Sequence, residues 1–282
     1  MRIVIIGAVA GGTSAAAKAR RNNEDAEIVI YEKDSFISYS GCGMPYYIGD
    51  QVESADQLTP RTPAFFKSKY NVDIHTRHEV LSISPDAKSI TVKNMATGDE
   101  FTDHYDKLVI ATGARATIPP IKGADGPNVF TLRNINDMNC IKGYIDAIQP
   151  RAAAIIGTGF IGLEVCENLK GLGIEVTLLE KLPQVTPGLD ADMAIYVQDH
   201  IAKNDVSVLT GVSIAEITSK SVILSDGKEI KADMVLVSTG VRPNTELAAA
   251  AGIALGASGA IRVNTKMEKQ KNFLSFYTAG KK

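Results

Sequence analysis

Two apolar runs in this chain stop abruptly at a glycine: Ile3–Ile6 ends at Gly7, and Ala152–Ile156 ends at Gly157. Each run is short and uninterrupted, the pattern of a strand buried on both faces. Behind each glycine comes a helix-length stretch of small and apolar residues. A second apolar run follows and closes on Glu-Lys, "EIVIYEK" at 27–33 and "EVTLLEK" at 175–181. Residues 2–33 and 151–181 therefore repeat one plan, strand, glycine-rich turn, helix, strand, which is a βαβ unit. A second matched pair, "YDKLVIATGARATIPP" (105–120) and "ADMVLVSTGVRPNTEL" (232–247), sets an apolar strand before Thr-Gly in each half. Between these landmarks, segments 82–111 and 221–238 alternate apolar with polar residues and predict β-meanders. The expected fold class is α/β, two Rossmann-like dinucleotide-binding domains, each with a β-meander insertion.

The duplication settles how the N-terminus is read. "MRIVIIGAVAGGTSAAA" has the early arginine, apolar run and small residues of a secretory leader. Its copy starts at residue 151, where no leader can be, so both runs are read as strands. A chain of 282 residues accommodates two domains of ordinary size. The net charge of -2 provides no basic field for nucleic acid and no polybasic membrane anchor. Three scattered cysteines form no disulfide framework, which points to a reducing, cytoplasmic setting. His75, His78, His104 and His200 show no metal-ligand spacing, so no metal is expected, and no Ser-His-Asp order or paired-acid motif stands out.

In the second copy Gly157, Gly159 and Gly162 complete GxGxxG. The first glycine permits the tight turn, the second lets backbone approach a pyrophosphate, and the third lets helix pack on strand. Glu180 ends the next strand, where a carboxylate accepts from a ribose 2′-hydroxyl and repels a 2′-phosphate. That favours NADH, while neighbouring Lys181 leaves NADPH open. The first copy keeps Gly7 and Gly12 and has Glu32 at the matching strand end, but Val9 replaces the middle glycine. A β-branched residue there should hinder the closest backbone approach, and Gly11 beside it should relieve this. Two dinucleotide units in one chain suggest electron transfer between two cofactors, FAD on the first and NAD(P)H on the second.

"SYSGCGMPYYIGD" (38–50) holds Cys42 between two glycines, a poor place for a core hydrophobe and a good one for an accessible thiol. Cys166 reads as a small buried hydrophobe on the second helix, and Cys140 as a structural or surface helix position. On the first helix Ser14, Lys18 and Arg21 share one face, which is either solvated or a cradle for phosphates.

Taken together and in order, "GAVAGG", "SYSGCGMPYYIG", "RHEV", "ATGARA", "GTGFIGLE" and "STGVRPN" resemble the pyridine nucleotide–disulfide oxidoreductase family. The resemblance runs over essentially the whole chain. It is strongest to the single-cysteine branch, which contains CoA-disulfide reductases, NADH oxidases and peroxidases, and NADH-dependent persulfide reductases. "SYSGCGMPYYIGD" and "GAVAGG" look most like CoA-disulfide reductase. The resemblance implies an FAD domain at 1–115 and 250–282 and an NAD(P)H domain at 116–249. It implies that Gly7, Ala10, Gly11, Gly12, Glu32, Lys33, Val80, Thr112 and Gly113 hold FAD. Gly157, Gly159, Ile161, Gly162, Glu164, Glu180 and Gly240 would hold NAD(P)H.

Two-cysteine members of the family carry CxxxxC, whereas here Tyr47 stands where the second cysteine would be. The resemblance thus implies hydride passing from NAD(P)H to FAD, and electrons onward to Cys42 as a lone redox thiol. Its partner would be coenzyme A as disulfide, or a persulfide, or peroxide or oxygen through a sulfenic acid as in the oxidases and peroxidases. CoA would be held by Ser14, Lys18, Arg21, Ser38 and Gly41, with Lys69 and Tyr70 as weaker candidates. Position 41 is commonly Asn in the family. Tyr46 and Tyr47 would shape the thiol pocket or simply pack. Partners are then small thiols and disulfides, with no nucleic acid and no membrane. The family's Tyr-Ala-x-Gly-Asp motif reads here as "FYTAG" followed by Lys281 and Lys282. Its aspartate and the C-terminal domain that makes the family homodimer are expected to be missing. The expectation from another class is a nucleotide-binding fragment without a competent active site.

Overall fold

After its first residue, strand β1 (Arg2–Ile6) consists of isoleucine and valine, stiff side chains that suit a pleated surface packed on both faces. In the computed structural model, which describes Met1–Lys269 and Phe273–Ser275, β1 is the middle of a six-stranded sheet. Parallel neighbours are β2 (Glu27–Tyr31) on one side and β7 (Lys107–Ile110) on the other, with β3 (Val72–His75) beyond β2. The far edge is the antiparallel pair of β18 (Glu268–Lys269) and β19 (Phe273–Ser275), with β19 parallel to β7. Helices α1 (Ala10–Asn22) and α3 (Pro63–Tyr70) link the strands. The meander is β4 (His78–Ser84), β5 (Ser89–Asn94) and β6 (Glu100–His104), antiparallel throughout. Asp103 of β6 fastens it to the sheet by accepting from the Tyr31 hydroxyl at 2.7 Å and from the Arg2 guanidinium at 2.7 Å.

The second sheet is parallel throughout, in the order β12 (Ser207–Leu209), β11 (Glu175–Leu179), β10 (Ala152–Ile156), β16 (Met234–Val237), β9 (Val129–Phe130). Its helices are α4 (Ile135–Ile148), α5 (Phe160–Gly171) and α6 (Ala191–Lys203). Its meander is β13 (Ile214–Ile217), β14 (Ser221–Leu224) and β15 (Glu229–Lys231). Short strands β8 (Ala114–Ala116) and β17 (Val241–Pro243) carry the chain across the domain boundaries, and α7 (Glu246–Ala250) follows.

The internal repeat is exact enough to see bond by bond. The amide of Gly7 donates to the Tyr31 carbonyl and that of Gly157 to the Leu179 carbonyl, both at 2.8 Å. Ala111 and Ser238 donate in the same way to Ile6 and Ile156, again at 2.8 Å. In both copies the run before Thr-Gly leaves the meander and joins the parallel sheet. "MVLV" at 234–237 is wholly buried for that reason.

The compact units are Met1–Tyr39 with Thr59–Arg115 and Arg242–Lys282, and Ser40–Leu58 with Ala116–Val241. Two segments thus fall on the other side of the expected boundaries. Residues 40–58 pack with the second unit, because the short helix α2 (Met44–Ile48) lies on α4 and α5. Residues 242–249 pack with the first. There Ala248 joins the core of Val4, Ile83 and Val92, and Asn244 bonds to Thr112. The "FYTAG" motif at 276–280 lies outside the described residues. Among the described residues, no helix is long and apolar enough to cross a membrane.

Ile155 is fully buried, whereas Ile148, at the end of α4, is 57% exposed. Ile155→Ala is expected to cost about 2–5 kcal/mol in urea unfolding, and Ile148→Ala about 0.5 kcal/mol or less. Equal losses would contradict the placement of β10 at the centre of the second core.

Candidate active site

Each parallel strand at the centre of a sheet delivers the chain into a turn that only glycine can make. Gly7 has φ +100° and Gly157 φ +99°, in the left-handed half of backbone space. The helix then returns so close that a Cβ on Gly12 would overlap the carbonyl oxygen of Gly7, and one on Gly162 that of Gly157. This close approach fixes the start of α1 and of α5 against the turn at the strand end. The first-turn N–H groups of a helix have no intrahelical acceptor, and the macrodipole adds positive charge there.

A buried carboxylate faces each turn, and both are engaged with backbone. Glu32, 8% exposed, accepts from the Ala8 amide at 2.8 Å and from the Asp34 amide at 2.9 Å. Glu180, 7% exposed, accepts from the Thr158 amide at 2.9 Å, the Thr158 hydroxyl at 2.8 Å and the Leu182 amide at 2.9 Å. Burial raises the Glu32 pKa, against the pull of its two backbone donors. An ionised carboxylate offers about four acceptor positions. By that count Glu32 has two positions beyond its two donors, and Glu180 one beyond its three. This donor set suits a dinucleotide at either turn: free helix amides for a pyrophosphate, and acceptors for ribose hydroxyls beside them.

The copies differ in their rims. Val9 is the N-cap of α1 and half-buried, while a side chain at Gly159, the N-cap of α5, would meet nothing within 4 Å. Ala10 and Gly11 in the first copy correspond to Phe160 and Ile161 in the second, 76% and 39% exposed. Phe160 is a rim residue that the spacing argument passes over, since any residue satisfies x in GxGxxG. Glu164, one turn along α5, is half-buried, and burial with the nearby charge of Glu167 raises its pKa.

In the first unit Ser38 (φ +47°) donates its amide to the Ala8 carbonyl at 2.9 Å, so it joins Glu32 and Ala8 at the turn. Lys33 is exposed, and Val80 is half-buried on β4 against the core of the first unit. Thr112 donates its hydroxyl to the Asn244 carbonyl at 2.6 Å, and Asn244 returns its side-chain amide to the Thr112 carbonyl at 2.9 Å. Asn244 is thus a bracing residue of the Thr112-Gly113 bend. Its signal was present in "STGVRPN" but carried no spacing to Thr112. Ser14, Lys18 and Arg21 are all exposed on α1. Arg20 turns the other way and donates to the carbonyls of Tyr70 and Asn71 at 2.8 and 2.9 Å.

In the second unit Gly240 (φ +110°) is exposed at the end of β16, and Thr239 donates to the Thr117 carbonyl at 2.7 Å. Cys42 is exposed in a single tight turn, Gly41–Gly43, that leads into α2. All three cysteines are free thiols. Cys140 is exposed on α4. Cys166 is buried in α5, and burial pushes its thiol up to about 11, which keeps it a protonated core residue as its surroundings suggest.

Two glycine turns, each backed by a buried carboxylate, define a dinucleotide-binding protein of the two-Rossmann class. The chain belongs to the pyridine nucleotide-disulphide oxidoreductase family, whose model matches residues 1–280. The NADH oxidase of Methanocaldococcus jannaschii is 40% identical over 285 residues, 99% of this chain and 62% of that protein. The coenzyme A disulfide reductase of Staphylococcus haemolyticus is 34% identical over 279 residues, again 99% of this chain and 62% of that protein. Among solved structures, an NAD-dependent persulfide reductase from A. fulgidus superposes with a TM-score of 0.94 at 37% identity, over 98% of this chain and 52% of that one. The chain thus spans about 62% of the length of the curated relatives it matches.

The free space at Gly159 and the crowding at Gly162 separate ligand room from fold. Gly159→Ala should leave the thermal midpoint unchanged and weaken NADH binding about tenfold in titration calorimetry. Gly162→Ala should lower the midpoint as well, because its Cβ would overlap the Gly157 carbonyl oxygen. Unchanged NADH affinity in Gly159→Ala would remove the second turn from the binding site.

Proposed function

We propose that the protein is a flavin-dependent NADH oxidoreductase that reduces a small disulfide, coenzyme A disulfide first among them, through Cys42. The observation that carries this reading is the thiol's setting: exposed, free and glycine-flanked, while Cys166 is buried and inert. The family and the printed names of the relatives support it, and Glu180 supports NADH over NADPH through repulsion of a 2′-phosphate. The first glycine turn with Glu32, Thr112 and Gly113 would take FAD, and the second with Glu180 and Gly240 would take NADH. When bound, these cofactors supply two electrons by hydride chemistry.

The chain's own residues do the rest. The Cys42 thiolate attacks one sulfur of the substrate disulfide, a mixed disulfide forms, and the first thiol leaves with a proton. Two electrons and a proton then release the second thiol and restore the Cys42 thiolate. The overall balance is one disulfide, one NADH and one proton to two thiols and NAD⁺. Ser14, Lys18 and Arg21 would hold the phosphates of coenzyme A on the exposed face of α1, as cations do for phosphate. A second reading rests on the oxidase relative: peroxide oxidises the Cys42 thiol to a sulfenic acid, its other oxygen leaving as water, and the same two electrons with two protons return the sulfenic acid to thiol and water.

Cys42→Ser is expected to lower NADH-driven reduction of coenzyme A disulfide by about a thousandfold or more, with NADH affinity unchanged. Turnover equal to that of the unsubstituted protein would exclude the single-thiol mechanism. Mass spectrometry of the native protein separates the two readings: a coenzyme A adduct on Cys42 supports the first, a sulfenic acid trapped by dimedone the second.

A further inference from the structure

Helix α2 has five residues, too few to be stable alone. The turn before it is tied to Leu58, whose carbonyl accepts from the Ser40 amide at 2.8 Å and whose side chain lies against Gly43, while Gly41 has no neighbour at its Cβ position among the described residues. The position of Cys42 is set from both ends of α2, and at the far end three fastenings converge. The Gly49 amide caps the helix by donating to the Pro45 carbonyl at 3.0 Å, and a Cβ on Gly49 would overlap Oδ1 of Asn168. Gln51 donates its side-chain amide to that same Asn168 Oδ1 at 3.1 Å and its backbone amide to the Tyr46 carbonyl at 2.8 Å. Asp50 pairs with Lys142 of α4 at 2.8 Å, and Lys142 also holds Asp146 at 2.9 Å.

Asn168 is the odd residue in this arrangement. It sits in the middle of α5 and is fully buried. Asparagine is a poor helix former, and a buried carboxamide must find partners for both ends. Its amide nitrogen donates back to the Glu164 carbonyl at 2.7 Å, which fixes the plane and leaves the oxygen facing Gln51 and Gly49. A leucine would serve α5 better. The fold of α5 alone gives no reason for an asparagine there, whereas the fastening of α2 does.

We propose that Asn168 is a positioning residue for Cys42, holding α2 on α5 through Gly49 and Gln51. The helix that starts at the second dinucleotide turn thereby also fixes the thiol-bearing turn. The proposal rests on the reading of Cys42 as the reacting thiol and adds to it a residue that touches neither substrate nor cofactor.

The test is a steric cycle on the full chain. Gly49→Ala, with Asn168 in place, drives the two segments apart. It should change the rate of Cys42 alkylation by iodoacetamide about tenfold and lower kcat for disulfide reduction by a similar factor, with KM for NADH within about twofold. Gly49→Ala with Asn168→Ala has room for the new methyl group and should recover at least half of that loss on a logarithmic scale. Gln51→Ala overlaps nothing and should change alkylation about threefold in the same direction, which keeps the test alive should Gly49→Ala not fold. Alkylation unchanged in both Gly49→Ala and Gln51→Ala would overturn the proposal. So would a double variant no better than Gly49→Ala, or a KM for NADH that rises as kcat falls. Iodoacetamide needs no cofactor or substrate, so the labelling result stands even if Cys42→Ser shows that another group does the chemistry.

Discussion

The closeness of helix to strand at Gly12 and Gly162 governs most of what surrounds each turn. With a Cβ at either position overlapping a carbonyl oxygen, the helix can come down only on glycine. The chain must first reverse through a left-handed residue, Gly7 or Gly157, to bring it there. Once the helix is seated, the end of the adjacent strand lies beside the turn, and its carboxylate accepts from the amide behind the first glycine. A carboxylate at that strand end then has two duties. It ties the turn to the neighbouring loop by accepting their amides, and it keeps spare acceptors for a ligand. Removing it would leave buried amides unpaired, at about 1–3 kcal/mol each. Glu32 and Glu180 are therefore part of the turn before they are part of any ligand site.

The same constraint met twice gives two sites of unequal character. Glu32 accepts from two backbone amides, and Glu180 from two backbone amides and a hydroxyl, because only the second turn has a threonine behind its first glycine. Val9 stands half-buried at the first rim where Gly159 leaves the second open, while Phe160 and Ile161 offer the second rim an apolar edge that Ala10 and Gly11 lack. The frames are similar and the rims differ; the exposed edge at Phe160 was not legible from the residues, whereas the exchange of the middle glycine for Val9 was.

Other parts of the molecule were not. The duplicated βαβ units, both meanders, the parallel sheets and the buried Cys166 all follow from apolar periodicity, which is local and repeats. The placement of residues 40–58 with the second unit does not, because it depends on α2 packing on α4 and α5, helices about a hundred residues further along the chain. Asn244 was hidden for the same reason. A side-chain amide that braces a distant bend leaves no period and no motif, and it shows only when its two partners are seen together. Arg20 and Arg21 make the point within one helix. Adjacent cations of equal propensity divide into a structural residue bound to two carbonyls and an exposed one free to meet an anion.

The two glycines beside Cys42 have different causes, and the difference bears on the thiol. A Cβ at Gly43 would overlap the Leu58 side chain, so that glycine is demanded by packing. Gly41 meets nothing, so its lack of a side chain serves no contact within the protein. What it leaves is room beside Cys42, while the Leu58 side chain fills the space at Gly43. Thiol–disulfide exchange needs an attacking sulfur that is reachable and held still. Openness at Gly41 supplies the first requirement. The fastenings at Gly49, Asp50 and Gln51 supply the second from the far end of a five-residue helix. A thiol exposed by simple disorder would meet only the first, and a buried one such as Cys166 only the second.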